Sequence, residues 1–226
     1  VKVYKIVFNF KSPISFMPYE LPIFDSIMMW CQYLKFKENK YDFHTPIGHE
    51  VNLNLDIPIE KSKYGFYYAS ELFFDEKIES VDMWKKQWEG RYDNLVNFGN
   101  KKARIHIGSG LYKSYNMPIV TFFIKRGWFY FSGDVNAITD LIDKYLFGIG
   151  KKNKIGFGWF YDFDIKIADS DEIDNVLSRP LPCEFIKNEI DFSKKVGFSI
   201  KKSFGSYRCP YWLPEYQGEI YRICQN

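Results

Sequence analysis

Hydrophobic and polar positions alternate where the chain begins: Val1 and Val3, then Ile6, Phe8 and Phe10, with Lys2 and Lys5 on the other side or at a small irregularity. A period of two predicts an opening strand over residues 1–10, central or near-central in its sheet. Pro13, Pro18 and Pro22 then break the chain. Asp25 stands close to a run in which Ile27, Met28, Trp30, Cys31 and Leu34 fall at helical spacing, which predicts a helix from about 24 to 36. Between 41 and 74 the helical period disappears. Val51, Leu53, Leu55 and Ile57 alternate with Asn52, Asn54 and Asp56, the pattern of a half-buried strand. Residues 64–74 read as a second strand, joined to the first through 58–62 as a hairpin.

Residues 75–100 form a polar stretch carrying Trp84, Trp88, Lys85, Lys86 and Arg91. That interleaving suits an RNA or partner groove, and equally a solvated helix with its tryptophans buried beneath it. Ile105 and Ile107 alternate with Arg104, His106 and Gly108 as another strand; Lys101, Lys102 and Arg104 lead up to His106 and can continue the same positive track. Residues 117–125 and 128–132 flank Arg126-Gly127, which predicts a tight hairpin. The clearest helix is 134–147. Asp134 is placed to cap it, and Val135, Ile138, Leu141, Ile142, Tyr145 and Leu146 make one apolar stripe, with Asp140, Asp143 and Lys144 outside it. Gly148 ends this helix, a Gly- and Lys-rich loop follows, and 158–167 alternates again as a strand.

The recurring order of strand, helix, loop and strand predicts an α+β fold with helices on one face of an antiparallel sheet; a ferredoxin-like, RNA-recognition-type split βαβ unit with β-hairpin insertions fits it best. Residues 1–168 would form this domain, with an inserted hairpin or helical segment at about 41–100. Residues 169–226 would be an extended C-terminal tail packed on the domain or on a neighbour. Residues 169–191 carry seven acidic residues against two basic, whereas 192–208 carry five basic and no acidic residue.

Composition narrows the function. Of 226 residues, 46% are hydrophobic and 26% charged, which excludes a disordered tail protein and a coiled coil. No run approaches 18 uncharged apolar residues, so a spanning helix is excluded, and the opening strand lacks the form of a signal peptide. A net charge of +3 means that any nucleic-acid function rests on local patches. Cys31, Cys183, Cys209 and Cys224 form no close pair, so the reading is a cytoplasmic chain with reduced thiols and no metal.

The most informative segment runs Gly148-Ile149-Gly150-Lys151-Lys152-Asn153-Lys154-Ile155-Gly156-Phe157-Gly158. Glycines let another chain approach the backbone. Exposed N–H groups in such a loop form anion-binding hollows, and lysines attract phosphates at longer range. The loop leaves a helix instead of opening one and lacks a Gly-Lys-Ser/Thr ending, which excludes a nucleotide P-loop; it is not a dinucleotide fingerprint either. Contact with an RNA backbone is the reading these residues favour over a plain connection.

The order of helix, glycine-rich loop and strand resembles the RAMP superfamily, the repeat-associated mysterious proteins that build CRISPR ribonucleoprotein complexes. Three blocks resemble the type IV CRISPR member that caps the guide RNA at its 5′ end. They are Leu21-Pro22-Ile23-Phe24-Asp25-Ser26-Ile27-Met28-Met29-Trp30, Arg179-Pro180-Leu181-Pro182, and Arg208-Cys209-Pro210-Tyr211-Trp212. The resemblance spans roughly residues 1–212, with the middle matched loosely. It implies a non-catalytic subunit that holds the repeat-derived 5′ tag of the guide RNA and abuts the adjacent backbone subunit and the large subunit, with target DNA nearby and no cofactor. Lys151, Lys152 and Lys154 would meet phosphates. Gly148, Gly150, Gly156 and Gly158 would permit close approach, and Phe157 or an aromatic near it would stack on a base or plug the core. In the tail, Lys194, Lys195, Lys201, Lys202 and Arg208 would line a nucleic-acid path, while Tyr211 and Trp212 would contact RNA or pin the tail to the sheet.

Two alternatives stay open. Some RAMP relatives process repeat RNA with a histidine-containing site, and His44 and His49 keep an endoribonuclease in view. A protein-only assembly module using the aromatic surface is the other. Asp162 and Asp164 share one face of a strand, compatible with Mg²⁺ but more often plain surface charge.

Overall fold

In the computed structural model the described residues are 2–16, 20–40, 55–89, 107–108, 113–189, 198–209, 211 and 216–225. The fold is mixed α+β with several antiparallel sheets. Strand β1 (Tyr4–Phe10) lies inside a four-stranded sheet, between β5 (Arg126–Phe131) and β6 (Phe160–Ile167), with the two-residue β2 (Phe73–Phe74) beyond β5. Every pairing is antiparallel. Helix α1 (Phe24–Lys40) follows β1, and helix α2 (Val135–Tyr145) joins β5 to β6.

Alternation in β1 sends Ile6, Phe8 and Phe10 into the core, where they meet Phe129 and Phe131 of β5, Phe24 and Met28 of α1, and Ile138, Leu141 and Ile142 of α2. Phe8, Phe24, Phe129 and Phe131 have no solvent exposure; each contributes about 1.5–3 kcal/mol of burial. Asp134 caps α2 by accepting from the Asn136 and Ala137 amides (3.0 and 3.2 Å). The other sheet face carries Val7 and Asn9 opposite Asp164 and Asp162. Part of that face is covered where Val3 and Tyr130 pack with Ala168 and Val176. There Glu172 accepts from Lys5 Nζ (2.5 Å) and the Tyr130 hydroxyl (2.8 Å).

Between β2 and β5 the chain forms a two-stranded ribbon, β3 (Lys77–Lys86) against β4 (Tyr115–Ile124), in unbroken register from Lys77↔Ile124 to Lys86↔Tyr115. Its root is anchored by Phe122, stacked on Phe16 at 4.4 Å and bridged to Ile14. Past Ala168 the chain continues through β7 (Leu181–Pro182), α3 (Cys183–Glu189), β8 (Phe198–Ser206) and β9 (Gln217–Gln225), and the strands form a second sheet in the order β7-β9-β8. Arg179 clasps this part to the first sheet. It donates to Asp25 Oδ2 (2.9 Å), to the carbonyls of Tyr67, Ala69 and Tyr207, and to the Tyr211 hydroxyl. Tyr211 in turn donates to Asp25 Oδ1 (2.8 Å).

Four expectations change. Residues 126–127 do not turn a hairpin, because β4 pairs with β3 while β5 pairs with β1 and β2. Gly127 is a strand residue: a Cβ there would come within 2.9 Å of the Phe10 ring and 3.0 Å of Leu72, so the glycine supplies room for packing. Residues 64–74 are not one strand but a series of bridges, Lys61↔Tyr67, Ala69↔Phe131 and Ile23↔Glu71, ending in β2. The proposed partner strand lies outside the described residues at 51–54, and 55–57 holds no strand. Trp84 lies in a strand rather than a helix, and Trp88 lies in neither. Ile107 is in a turn, with Ile105 and His106 outside the described residues.

Candidate nucleic-acid interface

The glycine-rich loop folds back on the segment after β1. The Lys151 amide donates to the Ser15 carbonyl (2.6 Å), the Gly158 amide to Pro13 (2.7 Å), and the Ile149 amide to Gly158 (3.0 Å). Amides of Ile155 and Gly156 close a 3-10 turn at Asn153–Ile155. Two glycines make this path possible. A Cβ on Gly158 would sit 1.9 Å from the Ile149 carbonyl oxygen, and one on Gly150 would sit 2.5 Å from that of Ser15; both residues have positive φ. Five of the loop amides are thus bonded within the protein, and its lysines carry the outward chemistry.

Lys151 and Lys154 are exposed, Lys152 half-buried. Lys152 has φ 61, the one positive value among described non-glycine residues, a geometry that costs an L-residue about 1–2 kcal/mol. Its ammonium lies 3.2 Å from the centre of the Trp84 ring, within cation–π range. Trp84 packs edge-on against Tyr115 (4.9 Å), and Lys86 Nζ lies 5.8 Å from the Tyr115 ring. This contact joins the loop to the outer end of the ribbon, on the face that carries Trp84 and Lys86; Lys85, one position away in an unbroken strand, points to the other face.

At the loop's other end, Trp159 donates from Nε1 to the Asn153 carbonyl (2.7 Å) and from its amide to Ser12 Oγ (2.8 Å). Its indole stays 39% exposed, with Lys11 Nζ 5.2 Å from the ring. A fixed, open ring beside a cation is the platform on which a splayed base stacks. Phe157, singled out in the sequence, is half-buried. Sequence reasoning did not name Trp159 or Lys11, because Trp159 stands at the second position of the alternating 158–167 pattern, where it reads as framework. Lys11 is 148 positions away along the chain.

Other candidates lie elsewhere. Lys202 is paired with Glu219 (2.8 Å), Lys201 is exposed on β8, and the Arg208 guanidinium lies 4.5 Å from the Tyr216 ring. Tyr211 is committed to the Arg179–Asp25 clasp. Arg91, Arg104, His106, Lys194, Lys195 and Trp212 fall outside the described residues, as do His44 and His49. Burial pushes the Cys31 thiol up to about 12 and Cys209 well above its ordinary value, which keeps both as inert thiols. Among the described residues no three His, Cys, Asp or Glu side chains group as a metal site, and no helix is long and apolar enough to cross a membrane.

The family described as CRISPR type IV associated protein Csf3 matches residues 2–221. No curated protein matches the chain. With nearly its whole length inside that match, the chain belongs to the Csf3 family of RAMP-superfamily, type IV CRISPR-associated proteins.

Proposed function

We propose that this protein is a non-catalytic RNA-binding subunit. It holds the repeat-derived 5′ tag of a CRISPR guide RNA and caps the backbone filament of a type IV RNA-guided DNA-targeting complex. The observation that carries the reading is the Lys152–Trp84 contact, which makes the lysine loop and the ribbon one basic and aromatic rim. Family membership supports it, since type IV CRISPR proteins work on RNA-guided assemblies. The strand order β2-β5-β1-β6, with α1 and α2 as the connecting helices, supports reading residues 1–168 as a ferredoxin-like unit of the RNA-recognition type, with the ribbon as an insertion. Phosphates run along Lys151, Lys152, Lys154 and Lys86, and Trp159 stacks a base. Sequence recognition of the target belongs to guide pairing, while the subunit holds backbone and geometry beside its neighbouring backbone and large subunits.

The test is equilibrium binding of the tag RNA and of a scrambled RNA at two salt concentrations. Wild type is compared with the Lys151→Ala/Lys152→Ala/Lys154→Ala variant, and RNA integrity is followed throughout. Three lost phosphate contacts reduce the slope of log affinity against log salt by about 2. An unchanged slope, or cleavage of the RNA, overturns the reading.

A further inference from the structure

The four-stranded sheet ends on one side in β2, only two residues long, and on the other in β6, which pairs with β1 alone among the described residues. Beta6 offers an eight-residue outer edge with no proline, and Tyr161 and Ile167 on it are 63% and 58% exposed. Long edges of this kind are templates for a further strand. An open cleft of about 630 Å³ runs between this edge and α2.

The cleft is two-sided. Toward α2 it is apolar, with Ile142 and Leu146 facing Phe163 and Ile165. On the opposite sheet face the edge carries Asp162 and Asp164, and Asp143 of α2 stands at the helix rim. Three carboxylates and no cation line the cleft; Lys166 lies further along on the Asp164 face. Such a charge repels phosphates, so an RNA backbone belongs on the lysine rim and not here. Because strand side chains alternate between faces, an added strand would turn every second residue to the apolar wall and the intervening ones to the carboxylates.

The geometry points to this edge as a docking site for an extended segment of a partner protein whose side chains alternate between apolar and basic. Main-chain bonds to β6 supply the pairing, and the two faces of the cleft set the register. The assignment does not rest on RNA binding by the loop.

It is tested on the full chain by amide hydrogen exchange over residues 160–167, using a capped eight-residue peptide of alternating lysine and valine, its glutamate–valine counterpart and the tag RNA. In the isolated protein the amides not bonded to β1 exchange fast. The lysine peptide slows them about tenfold or more, the glutamate peptide and the RNA do not. Asp143→Lys/Asp164→Lys, at two exposed positions, abolishes this protection while leaving the unfolding midpoint and the loop's RNA affinity in place. Slow exchange of every β6 amide in the isolated chain, equal protection by either peptide, protection by RNA, or protection that survives in the variant would each overturn the assignment.

Discussion

Arg179 holds a full charge where no solvent reaches it, and its guanidinium is met by one carboxylate, three carbonyls and a phenol. Burial works against that charge, but the Asp25 carboxylate together with Tyr211 outweighs it, raising the Arg179 pKa above its usual value. Asp25→Ala leaves the cation buried without its counter-ion, and the expected cost is about 3–5 kcal/mol in urea unfolding; a loss under about 1 kcal/mol would contradict this. The sequence marked Asp25, Arg179 and Tyr211 in three separate blocks, but no spacing along a chain says that positions 25, 179 and 211 meet. Glu172 makes a second prediction. Burial pushes its carboxyl up, and the bonds from Lys5, Tyr130 and the Asp169 amide outweigh burial, so the folded pKa is lowered. Its stabilisation is therefore present above the unfolded value, about 4.3, and is lost as pH falls through the folded value. Glu172→Gln flattens the stability profile below about pH 4.3 and leaves its shape from there to neutral pH unchanged, as acid titration of unfolding will read.

Elements differ in how far they could be read ahead. Helix α2 was legible because one apolar stripe and one capping aspartate lie within fourteen neighbouring positions of the sequence. Asp134→Ala removes the carboxylate oxygen that accepts from two helix-end amides and is expected to cost about 1 kcal/mol of unfolding free energy. Strand β4 was read at 117–125, but its pairing with β3 was not legible, since the two strands are joined through a long intervening stretch and the paired Ile78 and Phe123 are exposed at 70% and 50%. In β3 the exposed Ile78, Val81 and Met83 erase the two-sided pattern that identifies a strand. Within the glycine loop the positions separate by surroundings. Gly156 has positive φ in open space, so Gly156→Ala costs about 1–2 kcal/mol. Gly158→Ala adds a collision with the Ile149 carbonyl and must displace the backbone. Thermal or urea unfolding is expected to rank Gly158→Ala as clearly the more damaging, and equal effects would argue against the described path of the loop.

Across the whole molecule, charge is sorted by place more than by total. A net +3 is small, yet lysines gather on the loop and the ribbon end while carboxylates gather along β6. The first sheet thus offers a basic rim at the loop and an acidic cleft at its edge. The composition concealed this, because the opposite charges nearly cancel in the sum. The RNA account is tested most directly by crosslinking tag RNA that carries a photoreactive thiouridine at successive positions to the purified protein and mapping the attached residues. The account predicts crosslinks at Trp159, Trp84 and the 148–158 loop, lost when Lys151, Lys152 and Lys154 are alanine. Crosslinks concentrated on the β6 face, or unchanged by the lysine substitutions, would contradict it.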